Sequence, residues 1–287
     1  MATSLLRTRR HITAQPLRQL RKRDVIGTGL ALLLLVALLE AASVALFPKP
    51  GGAILVCAAF AMVAFVFRGV TLSGAFAGFL TALALWLEGG IVFFDVLIVV
   101  FVLTWLATRA GRLGKQQRGI AERSHGRDAL QVFANVGLAA VLVVFGRWTA
   151  SSSMFFYMAV AALAVLGEAA ADTVSSEIGK AFGGTPRLIT TWNRVDAGTN
   201  GGITALGSAA GVLAASVAAS TAFRPTPHAA LVVLVITLAA VCGMIFDSVL
   251  GATLEGRWLN NDGVNFLSTC FAAAVADGLL WLTLRLH

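Results

Sequence analysis

The sequence has few charged residues and few prolines. Charged side chains make up 13% of the 287 residues, whereas a soluble domain usually contains about 25%. This shortage excludes an ordinary soluble enzyme and a disordered chain, because both need more polar surface. Six prolines against 29 glycines also exclude proline-rich linkers. A hydrophobic fraction of 58% and a mean hydropathy of +0.84 instead predict a polytopic membrane protein.

Cysteine is also scarce, and the common nucleotide-binding motif is absent. The three cysteines, Cys57, Cys242 and Cys270, are scattered in apolar runs, without CxxC spacing or a nearby histidine. We therefore expect neither a cysteine metal site nor a disulfide framework. The pattern GxxxxGK[ST] does not occur, so any nucleotide would be bound without a P-loop.

Apolar runs recur along almost the whole chain and predict an all-α transmembrane bundle. We expect a basic N-terminal segment, 1–24, followed by a membrane domain, 25–287, with about nine spans. Seven or eight spans remain open, because only Arg68 and Gly69 separate two short runs that are compatible with a re-entrant hairpin over 51–87. The predicted spans are 25–46, 51–67, 69–87, 90–108, 129–146, 153–171, 201–222, 229–252 and 264–284.

The net charge of +8 is interpreted as a signal of orientation. With the N-terminus in the cytoplasm, 18 of the 22 basic residues fall on the cytoplasmic side, as the positive-inside rule requires. We therefore expect a lipid bilayer as partner and no nucleic acid. Three polar loops, 109–128, 172–200 and 253–263, then share the cytoplasmic face, where nucleotides and phosphorylated metabolites are available.

Two glycine pairs have GxxxG spacing within apolar runs. They are Gly74 with Gly78 and Gly207 with Gly211. Small residues at this spacing let helices approach closely, so both pairs predict close helix packing.

Carboxylates within apolar runs are the first candidates for a site. Glu168 and Asp172 are four residues apart and share a helix face, and Glu177 follows one to two turns later. Asp247 lies in another apolar run, near its cytoplasmic end. Ionisable groups at membrane depth are costly and are usually functional or paired. These carboxylates predict a Mg²⁺ site, since Mg²⁺ takes one or two carboxylates together with phosphate oxygens and water. A salt-bridged helix end is the alternative.

A glycine-rich stretch between two spans is the candidate phosphate site. A glycine turn that opens a helix presents backbone N–H groups and the positive end of the helix dipole. Side-chain donors and two arginines add to this. The predicted phosphate-binding residues are Arg187, Arg194, Gly198, Thr199, Asn200, Gly201 and Gly202.

A third polar stretch begins the span after the loop 109–128. Arg127, Gln131 and Asn135 recur every four residues and form one stripe that enters the membrane. Arg127 is a candidate partner of a nucleotide phosphate or a lipid headgroup, and Asn135 a further phosphate ligand.

Several motifs together resemble one known family. The stretches GEAAADTVSSEIGK, GGTPRLITT, AGTNGGIT and DSVLGATLEG are similar to the integral-membrane family of plant phytyl-phosphate kinases and their uncharacterised animal, archaeal and bacterial homologues. The resemblance covers roughly residues 60–285. It implies phosphoryl transfer from a nucleotide, by resemblance CTP, to an isoprenoid monophosphate, with Mg²⁺ as cofactor. It also implies that Asp172, Glu177 and Asp247 hold the metal and that Thr199 to Gly202 hold phosphates.

Two other functions stay open at this point. A CTP-dependent lipid cytidylyltransferase would release pyrophosphate in place of CDP. A transporter or flippase of phosphorylated lipids would also contain buried acids and broken helices, although no inverted repeat is evident. The chain's oligomeric state is open as well, a homo-oligomer included.

Overall fold

The computed structural model describes residues 27–39, 41–43, 45–46, 51–121, 126–223 and 228–285. The predicted basic segment 1–24 lies outside the described residues. The described chain is a helical bundle, as the sequence predicts, and its helices are α1 (Gly27–Ser43), α2 (Gly52–Val66), α3 (Leu72–Ala84), α4 (Ile91–Arg109), α5 (Arg112–Gln117), α6 (Ala129–Val132), α7 (Leu138–Trp148), α8 (Ser152–Phe182), α9 (Ala205–Thr221), α10 (Ala229–Thr253) and α11 (Asn261–Arg285).

Two π-helical turns extend or join these helices. Leu85–Gly89 continues α3, and Phe133–Gly137 joins α6 to α7. With these turns, six segments of the described chain are long and apolar enough to cross a membrane, and α1, α2 and α9 are shorter apolar helices. The predicted hairpin region 51–87 consists of two helices, α2 and α3, that pack against each other.

The longest helix, α8, lies at the centre of the bundle. It contacts α4, α7, α9, α10 and α11, and its middle third is rich in buried alanine. Small side chains let the neighbouring helices approach closely. Gly207 and Gly211 of α9 meet the backbone of α8 at Ser175 and Ala171, where a Cβ would come within 2.6 and 2.8 Å of a carbonyl oxygen. The predicted close packing is confirmed at this pair.

The other GxxxG pair behaves differently. Gly74 packs against the backbone of Arg127, but a Cβ at Gly78 would meet no heavy atom within 4 Å. The prediction of close packing is therefore wrong at Gly78, because this face of α3 borders a cavity between helices.

The α2–α3, α5–α6, α8–α9 and α10–α11 connections meet at one end of the bundle. The turn after α2 is tied to the start of α6, since Thr71 N donates to Arg127 O at 2.9 Å and Arg127 N donates to Gly69 O at 3.0 Å. Arg118, after α5, donates to Lys180 O at 2.7 Å. Strand β1 (Arg187–Leu188) pairs with β2 (Gly202–Ile203) in the connection before α9. The predicted polar loops thus converge at this end.

The helix α8 is longer than predicted. Residues 172–182 belong to it, so the expectation of a loop beginning at residue 172 is wrong for these positions. The acids and Lys180 end the apolar run but continue the helix, because their side chains meet a polar cavity and partners from other elements.

Candidate functional site

A polar cavity of about 700 Å³ opens at the end of the bundle where the four connections meet. It is large enough for a small-molecule ligand. Its wall comes from α6 and the following π turn, α8, the connection before α9, α10, and the start of α11. All three predicted polar loops contribute residues to it, and so do the adjoining parts of α6, α8, α10 and α11.

Two of the predicted acids face each other in this cavity. Asp172 of α8 and Asp247 of α10 both line it, and the charge of Asp172 acts electrostatically on Asp247. The Oδ2 atom of Asp247 is buried and has no hydrogen-bond partner among the described residues. Two carboxylates this close need a shared proton or a cation between them.

Glu168 lies one helical turn deeper and outside the cavity wall. It is 2% exposed, and its Oε1 accepts a hydrogen bond from Ser268 Oγ at 2.8 Å. Asp172 and Asp247 both act electrostatically on Glu168, so Glu168 lies close beneath the acidic pair.

Glu177 is committed to lysines. Its Oε2 forms a buried ion pair with Lys115 Nζ, and its Oε1 accepts from Lys180 Nζ at 3.3 Å. Lys115, which is buried, also donates to Ala107 O at 3.3 Å and to Thr108 O at 2.9 Å, at the end of α4. Glu177 therefore joins α5 and the end of α4 to α8. It also lines the polar cavity, and its charge acts on Asp172.

Positive groups face the acidic pair from two sides. Arg127, at the start of α6, lines the cavity and donates from Nη2 to Thr173 Oγ1 at 2.9 Å. Lys180 lines the cavity from α8. Both act electrostatically on Asp172. The cavity wall contains these two cations and six carboxylic acids, which are Asp128, Asp172, Glu177, Asp247, Glu255 and Asp262. A wall with both signs of charge is suited to a ligand that contains both phosphate and metal.

The predicted stripe of Arg127, Gln131 and Asn135 is confirmed as part of the cavity wall. Asp128 caps α6 and exchanges two hydrogen bonds with Gln131, at 3.0 and 3.1 Å. The π turn presents Asn135, whose Oδ1 accepts from Asn265 Nδ2 of α11 at 3.4 Å. π turns within helices occur frequently at functional sites, and this one links α6 to α11 at the cavity wall.

The glycine-rich stretch also lines the cavity, from Gly198 to Gly202. Several of its donors are already used, since Thr199 N and Thr199 Oγ1 donate to Asp196 O and Gly202 N donates to Thr199 O. The helix opens later than predicted, at Ala205, with Thr204 as its cap. Thr204 accepts from Gly207 N at 3.0 Å and lines the cavity itself.

The two predicted phosphate-binding arginines of the hairpin lie outside the cavity wall. Arg187 is exposed, and its Nη1 donates to Trp192 O at 2.8 Å. Arg194 pairs with Arg187 through the backbone. The antiparallel pairing of β1 and β2 brings Pro186 and Gly202 to the cavity, whereas these two side chains do not line it.

Other wall residues were not predicted from the sequence. Glu255, after α10, is the most informative, because burial and the charge of Asp172 raise its pKa above the ordinary value for glutamate, while Lys180 acts in the opposite direction. Glu255 stands in the motif DSVLGATLEG, so its acidity is a signal that the sequence contains. The other wall residues without a predicted role include Ser175, Ser176, Lys180, Thr204, Ser248, Asn260 and Asn261.

The fold and cavity define a multi-pass helical membrane protein with a polar, charged site at one end of its bundle. Residues 55–273 match the family described as integral membrane protein DUF92. The chain belongs to this family of integral membrane proteins.

Three relatives show how the similarity is distributed. The chain is 32% identical to Protein VTE6, chloroplastic, of Arabidopsis thaliana over 220 residues, which cover 72% of this chain and 64% of that protein. It is 31% identical to an uncharacterised membrane protein of Synechocystis, over 64% of this chain and 72% of the relative. It is 29% identical to Protein PGR of Arabidopsis thaliana, over 73% and 90%. The chain thus spans less than two thirds of VTE6, and no solved structure matches it.

Proposed function

We propose that this protein is a membrane-embedded kinase that transfers a phosphoryl group from a nucleoside triphosphate, by resemblance CTP, to an isoprenoid monophosphate. The single observation on which the proposal rests is the facing pair Asp172 and Asp247, set opposite Arg127 and Lys180 in one polar cavity. The motifs that resemble phytyl-phosphate kinases include both acids. Membership of the family gives a membrane setting that suits an acceptor with a hydrocarbon chain.

The acidic pair fits a Mg²⁺ ion. Asp247 Oδ2 is buried without a partner among the described residues, and oxygen ligands are those that Mg²⁺ prefers. The described chain holds no cluster of three or more His, Cys, Asp or Glu side chains arranged for a metal, and Mg²⁺ in phosphoryl-transfer sites needs only one or two carboxylates besides phosphate oxygens and water. When bound, the ion would supply charge neutralisation to the donor phosphates.

The chain's own side chains would position the two substrates and neutralise the charge of their phosphates. Arg127 and Lys180 are placed to hold phosphate oxygens by charge-assisted hydrogen bonds, and Asn200 offers a further side-chain donor in the wall. In the reaction the bond from the γ-phosphorus to the bridging oxygen of the donor breaks, and a bond to an oxygen of the acceptor phosphate forms. The acceptor is already an anion, so the site needs no strong base, and rate enhancement comes from positioning and electrostatics.

The proposal is tested on the purified full chain in detergent or nanodiscs. The protein is incubated with Mg²⁺, CTP or ATP labelled at the γ-phosphate, and phytyl, geranylgeranyl or polyprenyl phosphate. We expect transfer of label to the lipid, giving the diphosphate. The alternative cytidylyltransferase would give unlabelled lipid and labelled pyrophosphate. Absence of any nucleotide-dependent product over this panel of acceptors contradicts the kinase.

Two matched variants place the reaction in the cavity. Asp172→Asn keeps the volume of the side chain but removes its charge, and we expect turnover to fall at least about a hundredfold. Asp277→Asn changes a partly buried carboxyl group of α11 that lines neither this cavity nor the apolar one described below, so its turnover should stay near that of the wild type. Unchanged activity in Asp172→Asn removes Asp172 from the mechanism.

We also propose that the cavity faces the cytoplasm. Ten of the basic residues in the described part of the chain lie at this end, and they are Arg68, Arg109, Arg112, Lys115, Arg118, Arg127, Lys180, Arg187, Arg194 and Arg257. At the opposite end the same part of the chain has Arg147 and Arg285. This asymmetry supports a cytoplasmic orientation, in which the nucleotide reaches the site directly.

A further inference from the structure

We propose that a second, apolar cavity between α2, α3, α4 and α6 is the subsite that holds the hydrocarbon chain of the acceptor, next to its phosphate. This inference rests on the proposed function, because it takes the acceptor to be a lipid monophosphate. It specifies where the hydrocarbon chain of the acceptor lies and which residue limits the entry of that chain.

The walls of this cavity are those of a hydrocarbon site. Phe60, Ala61 and Ala64 of α2 face it, together with Leu97, Val100 and Phe101 of α4. Val132 and Val136 complete the wall from the side of α6. Burial of an isoprenoid chain against such side chains is favourable by roughly 25 cal/mol per Å².

The apolar cavity adjoins the polar one. Gly126, Arg127 and Asn135 line both, so they form the boundary between the acidic pair and the apolar wall. A ligand whose phosphate contacts Arg127 in the polar cavity therefore has its chain directed past Asn135 into the apolar one. This juxtaposition is what a single amphipathic ligand requires.

Charge at the boundary matches an anionic headgroup. Besides Arg127, Arg68 and Arg109 line the apolar cavity at the same end. The Arg109 guanidinium is held in place, because Nη2 donates to Phe67 O at 2.6 Å and its Cζ lies 4.5 Å from the centre of the Trp105 ring. A neutral lipid would form no ion pairs with three arginines, whereas a lipid phosphate would be stabilised by them.

The size of the cavity sets how much of the chain it holds. Its volume of about 110 Å³ corresponds to roughly four water molecules. It therefore accommodates only the part of the chain nearest the phosphate, and the remainder extends between helices towards lipid. The site should accordingly select for an isoprene unit next to the phosphate more than for the total length of the chain.

Gly78 is the residue that keeps this volume free. It lines the cavity, and a Cβ built on it would meet no heavy atom within 4 Å. A larger side chain can therefore be added here without a clash with backbone. Gly278 of α11 is the matched control, because it also lies within a helix and has open space around its Cβ, but lines neither cavity.

The experiment uses a geranylgeranyl-type monophosphate with a diazirine in the isoprene unit nearest the phosphate. The full chain in nanodiscs is irradiated with this probe without nucleotide, and cross-linked peptides are mapped by mass spectrometry. We expect cross-links on the helices that line the cavity, within 52–66, 72–89, 91–109 or 129–137, that unlabelled isoprenoid phosphate displaces and the corresponding alcohol does not. Displacement by the alcohol as well, or cross-links confined to other helices, overturns the proposal.

Variants then test the volume itself. Gly78→Leu should reduce cross-linking and raise the acceptor KM by about tenfold or more, because the leucine side chain takes the space of the chain. Gly78→Val should give a smaller reduction, and Gly278→Leu should behave as the wild type. Equal cross-linking in Gly78→Leu, in protein that elutes as a single folded species, refutes the subsite.

The two proposals fail in different ways. Specific cross-links on the helices that line the apolar cavity without phosphoryl transfer leave the subsite standing and contradict the kinase. Phosphoryl transfer that Gly78→Leu leaves unchanged supports the kinase and contradicts the subsite.

Discussion

The ion pair between Lys115 and Glu177 gives the sharpest test of how the site is built. The resemblance to phytyl-phosphate kinases implies that Glu177 is a metal ligand, whereas the structure commits it to Lys115 and Lys180. The two roles predict different consequences for Glu177→Gln. A metal ligand is needed for turnover and contributes little to stability, but a buried partner of lysine is needed for the fold.

The magnitude follows from burial and from the remaining partners. The side chains of Lys115 and Glu177 are 1% and 3% exposed, and removal of one member of such a pair typically costs about 3–5 kcal/mol. Lys115 keeps its hydrogen bonds to the carbonyls of Ala107 and Thr108, so we expect the lower end, about 3 kcal/mol, for Glu177→Gln. Lys115→Met should cost a similar amount, because Lys180, at 3.3 Å, is only a partial substitute.

A double-mutant cycle isolates the pair. Lys115→Met combined with Glu177→Gln leaves no unpaired buried charge at this pair, so we expect it to be more stable than either single variant, with a coupling of roughly 1–3 kcal/mol. The control Lys180→Met should cost less than about 1 kcal/mol, since Lys180 is 30% exposed. Unfolding of the purified protein, followed by thermal denaturation in detergent, measures all four variants.

Nucleotide-dependent turnover of the same variants completes this test. We expect residual activity in each variant to follow its folded fraction, with the double variant active. The reasoning is refuted if Glu177→Gln unfolds like the wild type and yet has no turnover, because that result makes Glu177 a ligand in the site.

Two further predictions concern pH and topology. The pKa of Glu255 is raised in the folded protein, so the folded state binds this proton more tightly than the unfolded state, and stability should fall as the pH rises from about 4.3, the ordinary value, through the raised one. Glu255→Gln should flatten that part of the curve of Tm against pH, and a curve identical to that of the wild type contradicts the assignment. For topology, a reporter fused after Arg257 should report the cytoplasm and one fused after His287 the opposite side, whereas the same side for both excludes the proposed crossing of α11.

The sequence was sufficient to predict the helices because hydropathy is a local property. The run predicted at 90–108 corresponds to α4, Ile91–Arg109, and the run predicted at 229–252 corresponds to α10, Ala229–Thr253. The run 153–171 was too short, since apolarity ends at Asp172 although helical backbone continues to Phe182. Hydropathy cannot distinguish the end of a helix from the point at which a helix meets a polar cavity.

Site residues could be predicted where a property of their own helix reveals them. They could not be predicted where a contact with a residue distant in sequence determines their role. Asp172 and Asp247 were identified because an acid in an apolar run is costly wherever it lies. The burial of Lys115 depends on Glu177, 62 positions away, and a lysine in a basic loop gives no sign of such a partner. Likewise, Arg187 and Arg194 precede the glycine-rich stretch in sequence, but neither side chain lines the cavity.

Unequal helix lengths give a physical reason for a site at this position. The 31 residues of α8 extend about 46 Å at 1.5 Å per residue, more than the roughly 30 Å of the hydrocarbon core. The 15 residues of α2 and the 17 of α9 reach only about 22 and 26 Å. Helix α8 is thus longer than α2 and α9 by about 20 Å or more, and Asp172 lies in its second half, where it lines the polar cavity. In the proposed orientation, a phosphate beside Asp172 would stay close to the cytoplasmic interface while its chain lies in the apolar cavity. This geometry fits an anionic lipid acceptor that meets a water-soluble nucleotide, and it explains why such chemistry would require a helix of the length of α8 among shorter neighbours.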